Sequence, residues 1–303
     1  MKNLVSLAIA IAFSGSLIAQ SPLTLTLNLE TGKVYKIKNT SRQTIQATVN
    51  GQQFTSEVYN NFVTSYKVVN RTKDVMQIEF KFDTIENKVN SPMMKRETNS
   101  AIPAKSKEYL ARIMNKVSTY KLVAKISTSG KFISFVNYKN FRDSVLMIMD
   151  SVPDTRKEQI QKQAEGVLGE STLQSMIEPY FVHIPEKAVN IGDKWDNTFA
   201  VKTSTVSMIL FNSYTLNSIE NNAAKLSCTS QIESIPPDDA SAAMSMDVKG
   251  TSTSDLTVDM RTGLVSKSVG KNHVEGTMTV KNQGNEMKMP TIIDSQSEIT
   301  EVE

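Results

Sequence analysis

The chain has 303 residues, a formal net charge of +3 and a single cysteine, Cys228. Its 34 basic and 31 acidic residues are interleaved. They form no basic stripe of the kind that binds nucleic acid, so nucleic acid is not expected as a partner. A lone cysteine excludes an intramolecular disulfide, and a chain of this length therefore depends on a buried core.

The first predicted element is an export signal. Residues 1–19 have a short polar start that contains Lys2. An apolar run over residues 4–13 follows, and the segment ends in small residues. This order is typical of a secretory signal peptide, with cleavage expected after Ala19. The run is shorter than the roughly 20 apolar residues of a transmembrane helix, and no lipid-anchor cysteine follows it. Residues 20–303 are therefore expected to be a free periplasmic or secreted protein without a transmembrane segment.

Residues 23–90 are predicted to form strands. Met76, Ile78, Phe80 and Phe82 alternate with polar residues, which is the pattern of an antiparallel strand with one face in water. The dipeptide at residues 50–51, Asn-Gly, predicts a two-residue hairpin because both positions tolerate a positive φ.

Residues 105–180 are predicted to be mainly helical, with a hairpin at residues 118–136. Pro153 suits the first turn of a helix because its missing N–H would have no partner there. Gly169 is predicted to end that helix, and Ser171 to cap a short fourth one. The apolar residues that recur at helical spacing are Tyr109, Ile113, Val117, Phe141, Val145, Ile148, Ile160, Ala164 and Leu168.

Residues 195–290 are predicted to return to strands. Leu256, Val258 and Met260 alternate with polar residues before a turn that ends in Gly263. Residues 236–239, Pro-Pro-Asp-Asp, indicate an exposed loop. From Asn282 onward the sequence is polar and acidic, and its last residues are expected to be loosely held.

The order of strands, helices and strands predicts an α+β fold. We expect residues 20–303 to form one domain, with a large curved antiparallel β-sheet, half-barrel-like, and the central helical segment packed on one face. Wide apolar helix stripes need such a face for burial. The alternative is two β domains flanking a helical linker.

Three segments resemble an uncharacterised family of secreted β-rich proteins from Bacteroidetes-type bacteria. They are residues 29–35 (Leu-Glu-Thr-Gly-Lys-Val-Tyr), residues 183–195, which end in Gly-Asp-Lys-Trp, and residues 250–265, which contain Asp-Met-Arg-Thr-Gly. The resemblance covers nearly all of residues 20–303 and implies no particular activity. At the level of fold, the chain is remotely similar to bacterial lipoprotein-carrier and lipid-carrier half-barrels, in which a sheet and a helical lid enclose an apolar cavity.

No motif predicts catalysis, a metal site or a cofactor. The two histidines, His183 and His273, lack the spacing of a zinc site. Cys228 shares a predicted strand face with apolar residues, so an inert buried thiol is expected. An enzyme is therefore the least favoured class, and it would be revived if His183 clustered with Asp193 and Asp259.

The fifteen methionines provide the remaining functional signal. Methionine is flexible and polarisable, which suits an adaptable apolar cavity, although it also fills gaps in large cores. We predict a non-catalytic protein that binds a lipid or acyl chain between sheet and helices. The alternative is a structural or protein-interaction module of the cell envelope. The predicted cavity-lining residues are Met76, Phe80, Met147, Met208, Met246, Met260 and Met278.

Overall fold

The structure is a computed structural model, and it describes residues 22–92, 94–101, 109–181, 183–202, 207–235, 244–282 and 285–302. The predicted export signal and the predicted loop at residues 236–239 lie outside these described residues. Within the described ranges, no helix combines the length and the apolar character needed to cross a membrane.

Within the described residues, twelve strands form one antiparallel sheet. Their order across the sheet is β6-β5-β3-β2-β1-β12-β11-β10-β9-β8-β7, and β4 pairs with β3. The strands are β1 (Val34–Val49), β2 (Gln52–Arg71), β3 (Val75–Asn90), β4 (Lys95–Asn99), β5 (Leu122–Ser127), β6 (Phe132–Phe135), β7 (Lys194–Lys202), β8 (Ser207–Glu220), β9 (Ala223–Ser234), β10 (Met244–Asp259), β11 (Val265–Asn282) and β12 (Asn285–Val302).

The helices follow the predicted apolar stripes. They are α1 (Tyr109–Thr119), α2 (Tyr138–Leu146), α3 (Asp154–Leu168) and α4 (Glu170–Ile177), with 3₁₀ turns at Met147–Ser151 and Glu178–Tyr180. Helix α3 ends at Leu168, directly before Gly169, as predicted, but the predicted capping roles of Gly169 and Ser171 are wrong. Gly169 has φ −56° and ψ 139°, which is not the left-handed conformation of a helix C-cap, and it precedes α4 as its N-cap residue. Ser171 lies inside α4.

The sheet is strongly curved, as predicted. Helix α1 packs on β3 and β4, while α4 packs on β7, and α3 contacts both helices. Strands β3 and β7 are eight positions apart in the sheet, which in a flat sheet would separate them by about 38 Å. A compact group of short helices can contact both strands only because the sheet curls around it. The predicted α+β fold with helices on one face is confirmed.

The strand nearest the end of the chain lies in the middle of the sheet. β12 pairs with β1 from Lys36↔Val302 to Ala47↔Thr291, and with β11 on its other side. The expectation that the last residues are loosely held is wrong for those that the structure describes, because β12 extends to Val302. This strand joins the N-terminal and C-terminal parts of the sheet.

The segment at residues 23–29 is extended and buried, but it is not a strand of the sheet. Its four leucines are at most 8% exposed, whereas the residues between them are exposed. The backbone N–H groups of Leu23, Leu27 and Asn28 donate to the carbonyl oxygens of Val189, Thr128 and Thr262, at 2.7, 2.8 and 2.9 Å. The segment therefore crosses the core. It is hydrogen-bonded to the turns at Thr128 and Thr262 and to Val189, which follows α4.

Replacing Leu27 with Ala is expected to lower the free energy of unfolding by about 2–5 kcal/mol, because it leaves a cavity among fully buried side chains. The matched control is Thr24→Ala, which changes an exposed neighbour and is expected to shift stability by less than about 0.5 kcal/mol. Urea unfolding monitored by circular dichroism gives both values. Equal stabilities of the two variants would contradict the buried crossing.

Candidate functional site: an apolar pocket between sheet and helices

The face of the sheet that carries the core, here called the inner face, has three successive bands. Strand register aligns Tyr35 with Tyr66 and Tyr66 with Phe80, and these buried side chains form part of the core beneath the helices. Farther along the same strands, the register brings polar residues to the inner face. Beyond the polar residues on strands β8–β12, apolar residues return around Val248 and Val274.

The middle band consists of small polar side chains that bond to one another across strands. Asn60 donates to Ser41 at 3.2 Å, and Asn87 donates to Asn60 at 2.8 Å. On the same face, in the half of the sheet formed by β7–β12, Ser230 donates to Asn212 at 2.7 Å. This polar band separates the core from the third, methionine-containing band.

An apolar pocket of about 290 Å³ lies where the core meets the polar band, between β2–β4 and helices α1 and α4. This volume is just below the range of roughly 300–1,000 Å³ that is typical of ligand pockets. The pocket is lined by Asn60, Phe62, Phe82, Ile85, Asn87, Arg96, Thr98, Met114, Val117, Thr172, Leu173 and Met176.

The local structure explains the apolar wall of the pocket. A register shift between Val63 and Thr64 brings Phe62 opposite Ile85, so both side chains point to the inner face. On the helices, Ile113 and Ile177 are completely buried. Their sequence neighbours Met114 and Met176 are only partly buried, and these flexible side chains form the helical wall.

The predicted cavity-lining residues are divided between separate parts of the protein and do not form one site. Met76 and Phe80 are fully buried in the core, and Met260 packs against it. Met208 and Met246 belong to the third band, where Met278 pairs with Met246 across β10 and β11. Met147 is 69% exposed. None of the seven is among the described residues that line the pocket.

The pocket residues missed by sequence reasoning carried a weak signal. Met114 and Met176 each adjoin the buried stripe of an amphipathic helix, a position from which a long side chain can reach the border of the core. Phe62 shares a strand face with Tyr66, four residues away in β2. Its helical partners come from segments far away in sequence, which alternation along a strand does not reveal.

His183 is fully buried beside the place where the segment at residues 23–29 contacts the turn at Gly263. Its Nε2 atom is 3.0 Å from the carbonyl oxygen of Gly263, and its own carbonyl accepts a 3.1 Å hydrogen bond from Trp195. Gly263 has φ +73°, and a Cβ there would stand 2.3 Å from the carbonyl oxygen of Thr26. Gly263 is therefore required both by its conformation and by the close approach of the N-terminal segment.

Burial lowers the pKa of His183 from 6.5 to about 4, more than its bond to Gly263 raises it. Its Nδ1 atom is buried without a hydrogen-bond partner among the described residues. The ring is accordingly held neutral, with Nε2–H donating to the carbonyl. This environment is that of a structural histidine.

The three residues whose clustering would favour an enzyme, His183, Asp193 and Asp259, each have other hydrogen-bond partners. Asp193 accepts from the backbone N–H of Asn190 at 2.7 Å, and Asp259 pairs with Arg261 at 2.8 Å. Across the described ranges, neither carboxylate bonds to His183, and no group of three potential metal ligands is found. Cys228 is buried, and burial raises the pKa of its thiol.

The chain belongs to DUF6263, a family of unknown function whose model matches residues 73–265. The match includes two of the three segments that carried the predicted resemblance, residues 183–195 and 250–265. It confirms membership of an uncharacterised family. The assignment to Bacteroidetes-type bacteria stays a prediction. Among curated proteins, no match to this chain is found.

Solved structures give only remote similarities. An outer membrane channel from Pseudomonas putida F1 is 7% identical, with a TM-score of 0.30 over 91% of this chain and 97% of that chain. The outer membrane protein OprG from Pseudomonas aeruginosa is 6% identical, with a TM-score of 0.24 over 91% and 98%. A DUF1329 family protein from Desulfovibrio piger is 8% identical, with a TM-score of 0.13 over 85% and 83%. Scores this low carry no functional inference.

The buried ring of His183 predicts a loss of stability on acidification. The unfolded chain binds a proton near pH 6.5, whereas the folded chain resists protonation down to about pH 4. The stabilisation is therefore complete above about pH 6.5 and is lost as the pH falls toward 4. Between about pH 7.5 and 5.5, the free energy of unfolding is expected to fall by about 1 kcal/mol.

Urea titrations at both pH values measure this change, and His183→Gln should remove it because the amide keeps a donor without titrating. The control is His273→Gln. His273 is exposed, and its bond to Asp294 raises its pKa, so its contribution has the opposite pH dependence and is lost as the pH rises. A loss of stability on acidification that survives in His183→Gln would contradict the assignment.

Proposed function

We propose that this protein is an exported, non-catalytic protein of the cell envelope that binds an apolar ligand, such as a lipid or acyl chain. The observation that carries the proposal is the apolar pocket between the sheet and helices α1 and α4. Its walls combine the rings of Phe62 and Phe82 with the flexible side chains of Met114 and Met176. Export is supported by the sequence of residues 1–19.

The pocket suits binding better than chemistry. Its apolar wall consists of side chains that cannot transfer protons, and no carboxylate or histidine is among its described lining residues. General acid–base catalysis needs titratable groups within hydrogen-bonding reach of the reacting atoms. Methionine side chains can instead adapt to an alkyl chain by changing rotamers.

The alternative, a protein-interaction module of the envelope, has less support in the described residues. Edge strand β7 begins and ends with lysine, at Lys194 and Lys202. Charged residues on an edge strand oppose pairing with a further strand. A loop contact through residues 236–239 lies outside the described residues and remains a prediction.

Binding can be tested with a fluorescent fatty acid and two methionine-to-tryptophan variants. Met176→Trp places a bulky ring in the pocket and is expected to weaken binding by at least roughly tenfold, because it occupies the volume that the ligand needs. Met147→Trp makes the same chemical change at a site that is 69% exposed, and it should bind like the natural protein.

Both variants are first compared by circular dichroism and thermal unfolding, so that a folding defect is distinguished from a filled pocket. Organic extraction of the purified protein followed by mass spectrometry provides an independent measurement of a bound lipid. Equal binding by folded Met176→Trp and Met147→Trp, or no binding by the natural protein, would overturn the proposal.

A further inference from the structure

One end of the apolar pocket is polar and positively charged. In β4, the register Arg96↔Val89 and Thr98↔Asn87 places Arg96 and Thr98 on the inner face. Thr98 is buried, whereas Arg96 is exposed. The pocket thus extends from the rings of the core to a single guanidinium group at its rim.

Arg96 also borders an adjoining groove that contains Glu57, Glu86 and Glu97. Within the described residues, no carboxylate forms an ion pair with it, and no acidic residue is among those that line the apolar pocket. The adjacent Glu97 points to the opposite face of β4, where it pairs with Lys88 at 3.2 Å. Arg96 is therefore available to an anion that enters from the pocket side.

The neighbouring amides are already committed to one another. The Asn60 side-chain oxygen accepts from Asn87 at 2.8 Å, and its nitrogen donates to Ser41 at 3.2 Å. These bonds fix the amide side chains beside the pocket and lower the cost of ordering them around a ligand. The Thr98 hydroxyl is a further donor on this wall.

The volume limits the apolar part of the ligand. A space of about 290 Å³ is small for a ligand pocket, so it suits a short or medium-length alkyl chain. A much longer chain would have to extend into solvent.

We propose that the ligand is an acidic amphiphile, a medium-length acyl chain whose carboxylate binds Arg96 at the rim while its alkyl part fills the pocket. This inference rests on the proposed function and specifies its ligand class. A guanidinium group binds a carboxylate through two parallel hydrogen bonds, which gives both affinity and orientation. The head group stays at the solvent-exposed rim, where its desolvation cost is small.

The test compares decanoate with decanol, which have chains of equal length but differ in head-group charge, by calorimetric titration of the full chain. Decanoate is expected to bind about tenfold more tightly. Arg96→Gln should weaken decanoate binding by about tenfold and leave decanol binding unchanged. The control Lys95→Gln removes a charge from the next residue, which points to the opposite face, and should leave both affinities unchanged.

Three outcomes would overturn the inference, and they separate it from the proposed function. Equal affinities for decanoate and decanol, with no effect of Arg96→Gln, would refute the head-group assignment and leave apolar binding intact. Tighter binding of palmitate than of decanoate would refute the chain length alone. Absence of binding by both ligands would refute the proposed function and, with it, this inference.

Discussion

The pairing of β1 with β12 is the interaction on which the rest of the structure depends. It joins one half of the sheet, formed by β1–β6, to the other half, formed by β7–β12. Helix α1 packs on the first half and α4 on the second, so this ladder determines how closely the two helices approach. The pocket has walls from both helices, and it exists only because the continuous sheet curls around them.

The division of the inner face into bands determines where a ligand can bind. Beneath the helices, the buried rings of Tyr66 and Phe80 pack against each other with their centroids 5.3 Å apart. The polar band provides amides and hydroxyls that are largely bonded to one another. At the boundary between the two, the wall is apolar on one side and polar on the other, and an amphiphile matches both. The position of the pocket thus follows from the order of residues along β2 and β3.

The sequence pattern predicted the strands and helices that have one apolar and one polar face. It did not predict strands whose two faces have similar polarity. Met76 to Phe82 alternate clearly, and the hairpin at Asn50 and Gly51 is confirmed by positive φ at both residues. β12 was missed because Ser295 and Ser297 lie on its inner face and Gln296 on the other, so no alternation marks the strand. Residues 23–29 alternate well yet form no ladder strand, since alternation shows a buried face and not a hydrogen-bonding partner. The spacing of the methionines likewise indicated which face of a strand or helix each occupies. It did not indicate which of the three bands of the inner face each belongs to.

The central position of β12 also affects when the protein can fold. The ladder pairs Lys36 with Val302, so it cannot form fully until Val302 has been synthesised. Contacts between such distant residues fold slowly because a long loop must close first. Before that point, β1 has an unpaired edge and the chain remains incompletely folded.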